Sequence, residues 1–323
     1  MWFKNIALFE FIAPFAEEEA AIESCLKDDR FVPCGSSAPL SMGWVPPSGI
    51  EDGALIHSAE GCMMLAFKIE EKIVPAGVVK ELLDEKVEAI ELKTARKLRK
   101  KEKETLKEEI YQSLLPRAFT RSQILYAYID RQKGWLVVNT AASKKAELLT
   151  VNLRKALGSL KIRIPEVMPI ATLLTAWLQN NDYPAALTVE DQCVLQDHKD
   201  ASGTIRCQRQ DLFGDDIAAL IESGREVVQL SLSWQDQIAF VINDELRIKS
   251  VKFLEFVQDK ARDIHTETEQ ARFDADFAIM TATLREFIGF LLQIFARENV
   301  EETQSLAQKP PEKAVSFAFD QTT

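Results

Sequence analysis

Glycine and proline are scarce, twelve of each in 323 residues, slightly under 4% apiece. Globular chains ordinarily carry more of both, so collagen-like and low-complexity architectures are excluded. Cysteine is sparse too: Cys25, Cys34, Cys62, Cys193 and Cys207 are odd in number and show no CxxC spacing. Thiols of this kind suit reduced residues in a cytosolic protein and argue against a disulfide framework or a zinc site. The histidines, His57, His198 and His265, are too scattered to form a ligand set. No GxxxxGKS, GxxxxGKT or GxGxxG run occurs, which argues against a P-loop ATPase or a dinucleotide enzyme. Long apolar runs are missing, and the brief one near the start ends at Glu17, Glu18 and Glu19, so neither a membrane span nor a cleaved signal peptide is expected.

What is present is an apolar fraction of 46% with 28% charged residues, enough for about two ordinary domains. The net charge is 39 − 50 = −11, which excludes a uniformly basic coat protein. Yet residues 93–107, KTARKLRKKEKETLK, hold eight basic groups against Glu102 and Glu104, a net of +6 that leaves −17 for the rest. Charge is strongly segregated along the chain.

The opening MWFKNIALFEFI suits a strand, and residues 17–29 suit a helix. Residues 31–53 gather proline and glycine and read as a structured loop anchored by Trp44, with a strand from about Cys62 to Ile69. From Pro75 to Pro116 the apolar residues Leu83, Val87, Ile90, Leu98, Leu106, Ile110 and Leu114 mark one face of a single long helix. Some 35 residues at 1.5 Å each would span ~50 Å, longer than a compact domain needs, so a protruding arm is expected. A hairpin follows (Ile124, Tyr126 and Tyr128, a turn at 131–134, then Trp135 to Val138), with a helix from near Ser143 to residue 157. A second unit repeats the order: Val228, Leu230 and Leu232 alternate, the chain turns at 235–237, and Ile238 to Ile242 return. These hairpins suggest a duplicated sheet-and-helix lobe. The last strong helix lies in RFDADFAIMTATLREFIGFLLQIFARE, and residues 298–323 read as a polar tail without a fold of its own.

The basic stretch is the most informative feature. On one continuous helix Lys93, Lys97, Lys100 and Lys107 would form a stripe flanked by Arg96, Arg99, Lys101 and Lys103. Acids are missing for nine residues, Lys93 to Lys101, and like charges repel, so a polyanion is the favoured counterpart. A solvated face, or an acidic protein or membrane surface, remains open. Phosphate contacts would position such a protein without reading sequence. Lys144 and Lys145 begin a second cluster with Arg154, Lys155, Lys161 and Arg163; at a helix start they oppose the macrodipole, a cost that a phosphate would remove. Asp274 and Asp276 in RFDADF would share a face in a strand and could hold Mg²⁺ in a nuclease, although no neighbouring Lys or His completes a hydrolytic site. Solvated or capping carboxylates are the plainer account, and no catalytic residue, metal or cofactor is assigned. Phe119, between Arg117 and Arg121 in LLPRAFTR, is either a core residue or a contact knob.

The segments WFKN (2–5), PCG (33–35), MGWVPP (42–47), EEKIVP (70–75), ARKLRKKEK (95–103), LLPRAFTR (114–121), SKKAE (143–147), LRKALGSL (153–160) and RFDADF (272–277) closely resemble the RdgC family of bacterial recombination-associated proteins. The resemblance implies an α+β subunit of horseshoe shape, with antiparallel sheets and flanking helices in two related lobes. The expected boundaries are 1–115 for the N-terminal sheet and long basic helix, 116–165 for the first lobe, and 166–297 for the second lobe with the C-terminal helix. It further implies a non-enzymatic homodimer that closes as a ring around double-stranded DNA in the cytoplasm, on the nucleoid, and restrains RecA-mediated recombination, direct RecA contact being open. Arg96 to Lys103 would then line the hole, with Lys144 and Lys145 adding DNA contacts, and Phe119, Arg117 and Gln210 would lie at a gate between subunits. The rival readings are a metal-dependent nuclease using Asp274 and Asp276, and an adaptor whose long helix binds an acidic protein surface.

Overall fold

The computed structural model describes residues 2–197, 203–264 and 268–296. His198, His265 and the expected tail at 298–323 lie outside the described residues. In chain order the elements are β1 (Ala7–Phe11), α1 (Glu19–Asp28), β2 (Leu40–Val45), β3 (Ile56–Ala59), β4 (Cys62–Ile73), α2 (Ala76–Thr94), α3 (Lys100–Leu114) and, after one 3-10 turn at Leu115–Arg117, β5 (Phe119–Asp130) and β6 (Trp135–Val138). There follow α4 (Ser143–Leu157), β7 (Ile162–Arg163), α5 (Ile170–Asn180), β8 (Leu187–Asp197), β9 (Thr204–Gln208), α6 (Asp215–Glu222), β10 (Arg225–Trp234), β11 (Ile238–Asn243), β12 (Ile248–Phe253), α7 (Glu255–Asp263) and α8 (Glu269–Ile294).

These form an α+β fold with two antiparallel sheets, ordered β2-β4-β5-β6-β1-β7 with β3 beside β4, and β12-β11-β10-β8-β9. Both expected hairpins are present, β5 to β6 in the first sheet and β10 to β11 in the second. The run CMMLAF explains the centre of the first sheet. Because successive side chains alternate, Met63, Leu65 and Phe67 pack toward α1 and α4 (Ile22, Leu26, Leu149, Leu153), while Cys62 and Met64 join the core built by α8 and the second sheet. A strand segment buried on both faces must be apolar without interruption, and Cys62–Phe67 is, the charged residues of β4 coming only from Lys68 onward. The tight turn from β3 into β4 puts Glu60 and Gly61 at φ 50° and 77°. A Cβ on Gly61 would lie 3.0 Å from Gln132 Nε2 as well as in a backbone region glycine favours.

Helix α8 carries the second core. Phe277, Met280, Leu284, Phe287, Ile288 and Leu291 are buried, and Arg285 Nε donates to the fully buried Asp130 Oδ2 at 2.6 Å, tying the helix to the end of β5. By length and composition α8 could cross a bilayer. Its apolar side chains are packed between the two sheets instead.

Two expectations are corrected. The proline-rich segment 31–53 contains strand β2, and Trp44 sits within it, fully buried and edge-on to Phe67 at 4.9 Å between ring centroids. Gly43 explains how: a Cβ there would come within 2.5 Å of the Phe31 backbone, so only glycine lets that chain cross the strand. The single helix from 76 to 115 is two helices. The chain leaves α2 at Ala95 in the left-handed region, φ 50°, and restarts with Arg99 extended as the N-cap of α3. One continuous helix would align the like charges of KTARKLRKK, whereas the break lets Glu91 and Glu102 reach them.

Candidate nucleic-acid interface

Helices α2 and α3 pack against each other as a hairpin, and its burial is confined to the base. Val79 near the start of α2, Ile110 near the end of α3, and Leu115 just beyond are buried, whereas Leu92 near the tip is 76% exposed. At 1.5 Å per residue, the nineteen residues of α2 make a helix ~28 Å long. An arm is present, about half as long as a continuous helix would have made it.

Two carboxylates organise the tip. Glu102 accepts from Arg96 Nη1 and Nη2 at 3.0 and 2.7 Å and from the Arg99 backbone N–H at 2.8 Å. The Arg96 hydrogen bonds, followed by the Arg99 amide, hold its carboxyl down from 4.5 to about 2. Glu91 accepts from the Leu98 N–H at 2.8 Å and pairs with Lys103 at 3.5 Å. The Leu98 amide, more than Lys103, keeps Glu91 below the usual carboxylate range. Both acids therefore fold the link, and each uses up one cation in doing so.

That leaves six of the eight, Lys93, Lys97, Arg99, Lys100, Lys101 and Lys107, all exposed and without an ion pair among the described residues. The expected stripe is not formed as one row: Lys93 ends α2, Lys97 lies in the link, and Lys100 and Lys107 lie on α3. The structure gathers Lys93, Lys97 and Lys100 at one tip instead, with Lys107 two turns further down α3. Lys100 and Lys101 occupy the first turn of α3, where positive side chains face the positive end of the helix dipole. An anion bound there would relieve both repulsions at once.

The second cluster lies on the first sheet. Lys144 is exposed at the start of α4, and Lys145 Nζ donates to Gln123 Oε1 of β5 at 2.7 Å. On β5, Gln123, Arg121 and Phe119 share a face by the two-residue period, so this bond brings Lys145 to the face that carries Phe119. Arg121 belongs with this group; its place beside Phe119 in LLPRAFTR was the available signal. Lys155 and Arg163 are spent on Asp29 at 3.2 Å and Glu10 at 3.4 Å.

Phe119 begins β5 opposite Ile73 and is 86% exposed, so it is not a core residue. Arg117, also exposed, ends the preceding 3-10 turn. Gln210 is exposed in the turn that follows β9 of the second sheet, whereas Phe119 starts a strand of the first sheet and Arg117 lies in the turn before it. Asp274 and Asp276 fall in α8 rather than a strand. Two residues apart on a helix they point ~200° apart, Asp274 toward His57 Nε2 at 3.5 Å and Asp276 toward Arg272 at 3.4 Å. They do not share a face, and no cluster of three metal-ligating side chains occurs among the described residues.

The family model described as "Putative exonuclease, RdgC" matches residues 1–298. The chain belongs to the RdgC family. Three curated relatives carry the name Recombination-associated protein RdgC. Those from Tolumonas auensis, Aeromonas hydrophila and Psychromonas ingrahamii are 39%, 41% and 40% identical over 303, 300 and 299 residues. The alignments cover 93%, 92% and 92% of this chain and 100%, 99% and 99% of those proteins. An association with recombination therefore comes with RdgC family membership.

Proposed function

We propose that the chain is a duplex-DNA-binding protein without sequence preference. On this reading two copies close as a ring around the double helix, on the nucleoid in the cytoplasm, and restrain RecA-mediated recombination. The observation that carries it is the hairpin tip, where Lys93, Lys97, Arg99, Lys100 and Lys101 are exposed and make no ion pair among the described residues, in a chain of net charge −11. Each cation offers a phosphate contact and none of the surrounding residues makes a base-reading platform, so affinity without specificity follows. A two-fold pairing of horseshoe subunits through the exposed Phe119, with Arg117 and Gln210 in the contact, would turn two protruding arms into one enclosed basic hole. The part played is binding, not cleavage. The relatives' name supports the recombination setting, and the separation of Asp274 from Asp276 on opposite sides of α8 favours binding over a two-carboxylate nuclease.

The test is duplex binding across a salt series, with light scattering of the protein alone and with a short duplex. Six to eight phosphate contacts per dimer would give a slope of log K against log salt of about −5 to −7. A particle near twice 36.5 kDa is expected. A monomer at micromolar concentration would remove the ring, and strong preference for one DNA sequence would remove phosphate-only recognition. Incubation with plasmid and Mg²⁺ should leave the DNA intact. RecA-driven strand exchange should slow as the duplex is coated, and unchanged exchange at saturation would remove the antagonism.

A further inference from the structure

Away from the hairpin, a cleft of about 680 Å³ opens where the residues before β1 meet β12 and α7. Its size is that of a small-molecule site. Backbone hydrogen bonds build it. Ile6 N–H donates to Ile248 O at 2.8 Å, Ile248 N–H to Ile6 O at 3.2 Å, and Val251 N–H to Lys4 O at 2.8 Å. Pairing between β11 and β12 slips between Ala239 and Val241, and Ser250 takes φ 52°, the mark of a bulge. Bulges redirect the side chains that follow, and here Lys252 and Phe253 line the same cleft as Trp2 and Lys4.

The lining combines two chemistries. The Trp2 and Phe253 rings meet at 4.7 Å between centroids, tilted by 58°, and form an aromatic wall. Around it stand Lys4, Lys252, Arg262 and Arg272 against one carboxylate, Glu255. Arg262 and Arg272 are tied to Asp259 and Asp276, at 3.1 and 3.4 Å. Lys4 and Lys252 are exposed and make no ion pair among the described residues. An apolar ligand would leave these lysines without a counterpart, and a bare inorganic anion would make no use of the aromatic wall.

We propose that this cleft binds a nucleoside 5′-phosphate, its base against Trp2 and Phe253 and its phosphate on Lys4 and Lys252. Stacking on an aromatic side chain and charge-assisted hydrogen bonds to phosphate are the two contacts such a ligand needs. A free nucleotide and the unpaired 5′ end of a DNA strand present the same chemistry. No residue of the cleft belongs to the hairpin, so the site does not depend on the duplex-binding reading.

Calorimetric titration of the full chain with dAMP, deoxyadenosine, inorganic phosphate and a 5′-phosphorylated oligothymidylate tests it. Saturation by dAMP is expected, with deoxyadenosine and phosphate each weaker by roughly tenfold or more. The double variant Lys4→Glu, Lys252→Glu should lose dAMP affinity by a similar factor with its melting temperature unchanged, because both side chains are exposed. Trp2→Leu should bring dAMP down to the level of phosphate. Tighter binding of the oligonucleotide than of dAMP identifies the strand end as the ligand, and equal binding identifies the free nucleotide. Absence of dAMP saturation at millimolar concentration, or unaltered binding in the double variant, overturns the proposal. A Lys97→Glu, Lys100→Glu variant should keep dAMP binding while duplex affinity falls, which separates failure of one site from failure of the other.

Discussion

The hairpin of α2 and α3 and the helix α8 both show apolar periodicity, yet one is an arm and the other a core. Helix α8 buries seven side chains between two sheets, three of them carried at Phe277, Met280 and Phe287. The hairpin, longer in total, buries only Val79 and Ile110 within its two helices. The difference lies in the width of the apolar face. A helix packed on several sides needs apolar residues around most of its circumference, whereas a single narrow row is satisfied by one partner helix. The remaining faces of α2 and α3 stay in water, where a concentration of like charge is tolerable, and such charge could not exist on α8.

The largest effect that would test this contrast comes from reversing Lys97, Arg99, Lys100 and Lys101 to Glu together. Duplex affinity is expected to fall by about three orders of magnitude or more at moderate salt, with little change in melting temperature. A collapse of the fold in that variant would show the tip to be part of the core. Next in size, Phe287→Ala should cost about 3 to 5 kcal/mol in urea denaturation. Leu92→Ala, on the exposed side of α2, should stay within about 0.5 kcal/mol, and equal losses would erase the distinction between arm and core.

Phe119→Ala tests a third environment, an exposed aromatic on a sheet rather than a helix. Its stability should change by less than about 0.5 kcal/mol, while self-association weakens and release from circular DNA speeds up more than release from linear DNA. Equal acceleration on both forms would disconnect Phe119 from ring closure. The smallest expected effect is on the tip's own order. Because the Glu102 carboxyl is held down from 4.5 to about 2, its contribution is fully present above 4.5 and is lost as pH falls toward 2. Protection of the Arg99 amide relative to its intrinsic exchange rate should fall over that window, and constant protection across it would show that Glu102 does not latch the link.

Much of the fold is legible in the residues. The alternation at Ile124, Tyr126 and Tyr128 and at Val228, Leu230 and Leu232 marks both hairpins, and the aromatic face of α8 marks the C-terminal helix. The break at Ala95 is not legible, because neither glycine nor proline stands there and alanine is a good helix former. Capture of the Leu98 and Arg99 amides by Glu91 and Glu102, a matter of three-dimensional reach, decides it. Strand β2 was hidden by the prolines and glycines around it. Helix α5 and strands β8 and β9 carry mixed patterns that propensity alone leaves undecided. For the interface, the basic residues were visible as a run, but which of them are free was not: Arg96 and Lys103 look like Lys97 in sequence and are spent on acids in the structure.

The tie between Arg285 and Asp130 spans 155 positions in the chain, and it dates the completion of the core. During synthesis the strands of the first sheet emerge well before α8, so the face of β4 and β5 that carries Cys62, Met64 and Tyr128 has no helix to cover it until residue 294 has left the ribosome. Domains ordinarily close as they are made, from the N-terminus onward; here an early sheet waits for a late helix. Stalled chains that end before Glu269 are therefore expected to be cut readily by protease within the first sheet, and chains that include α8 to resist. Equal resistance of the two would mean that the sheet closes without its helix.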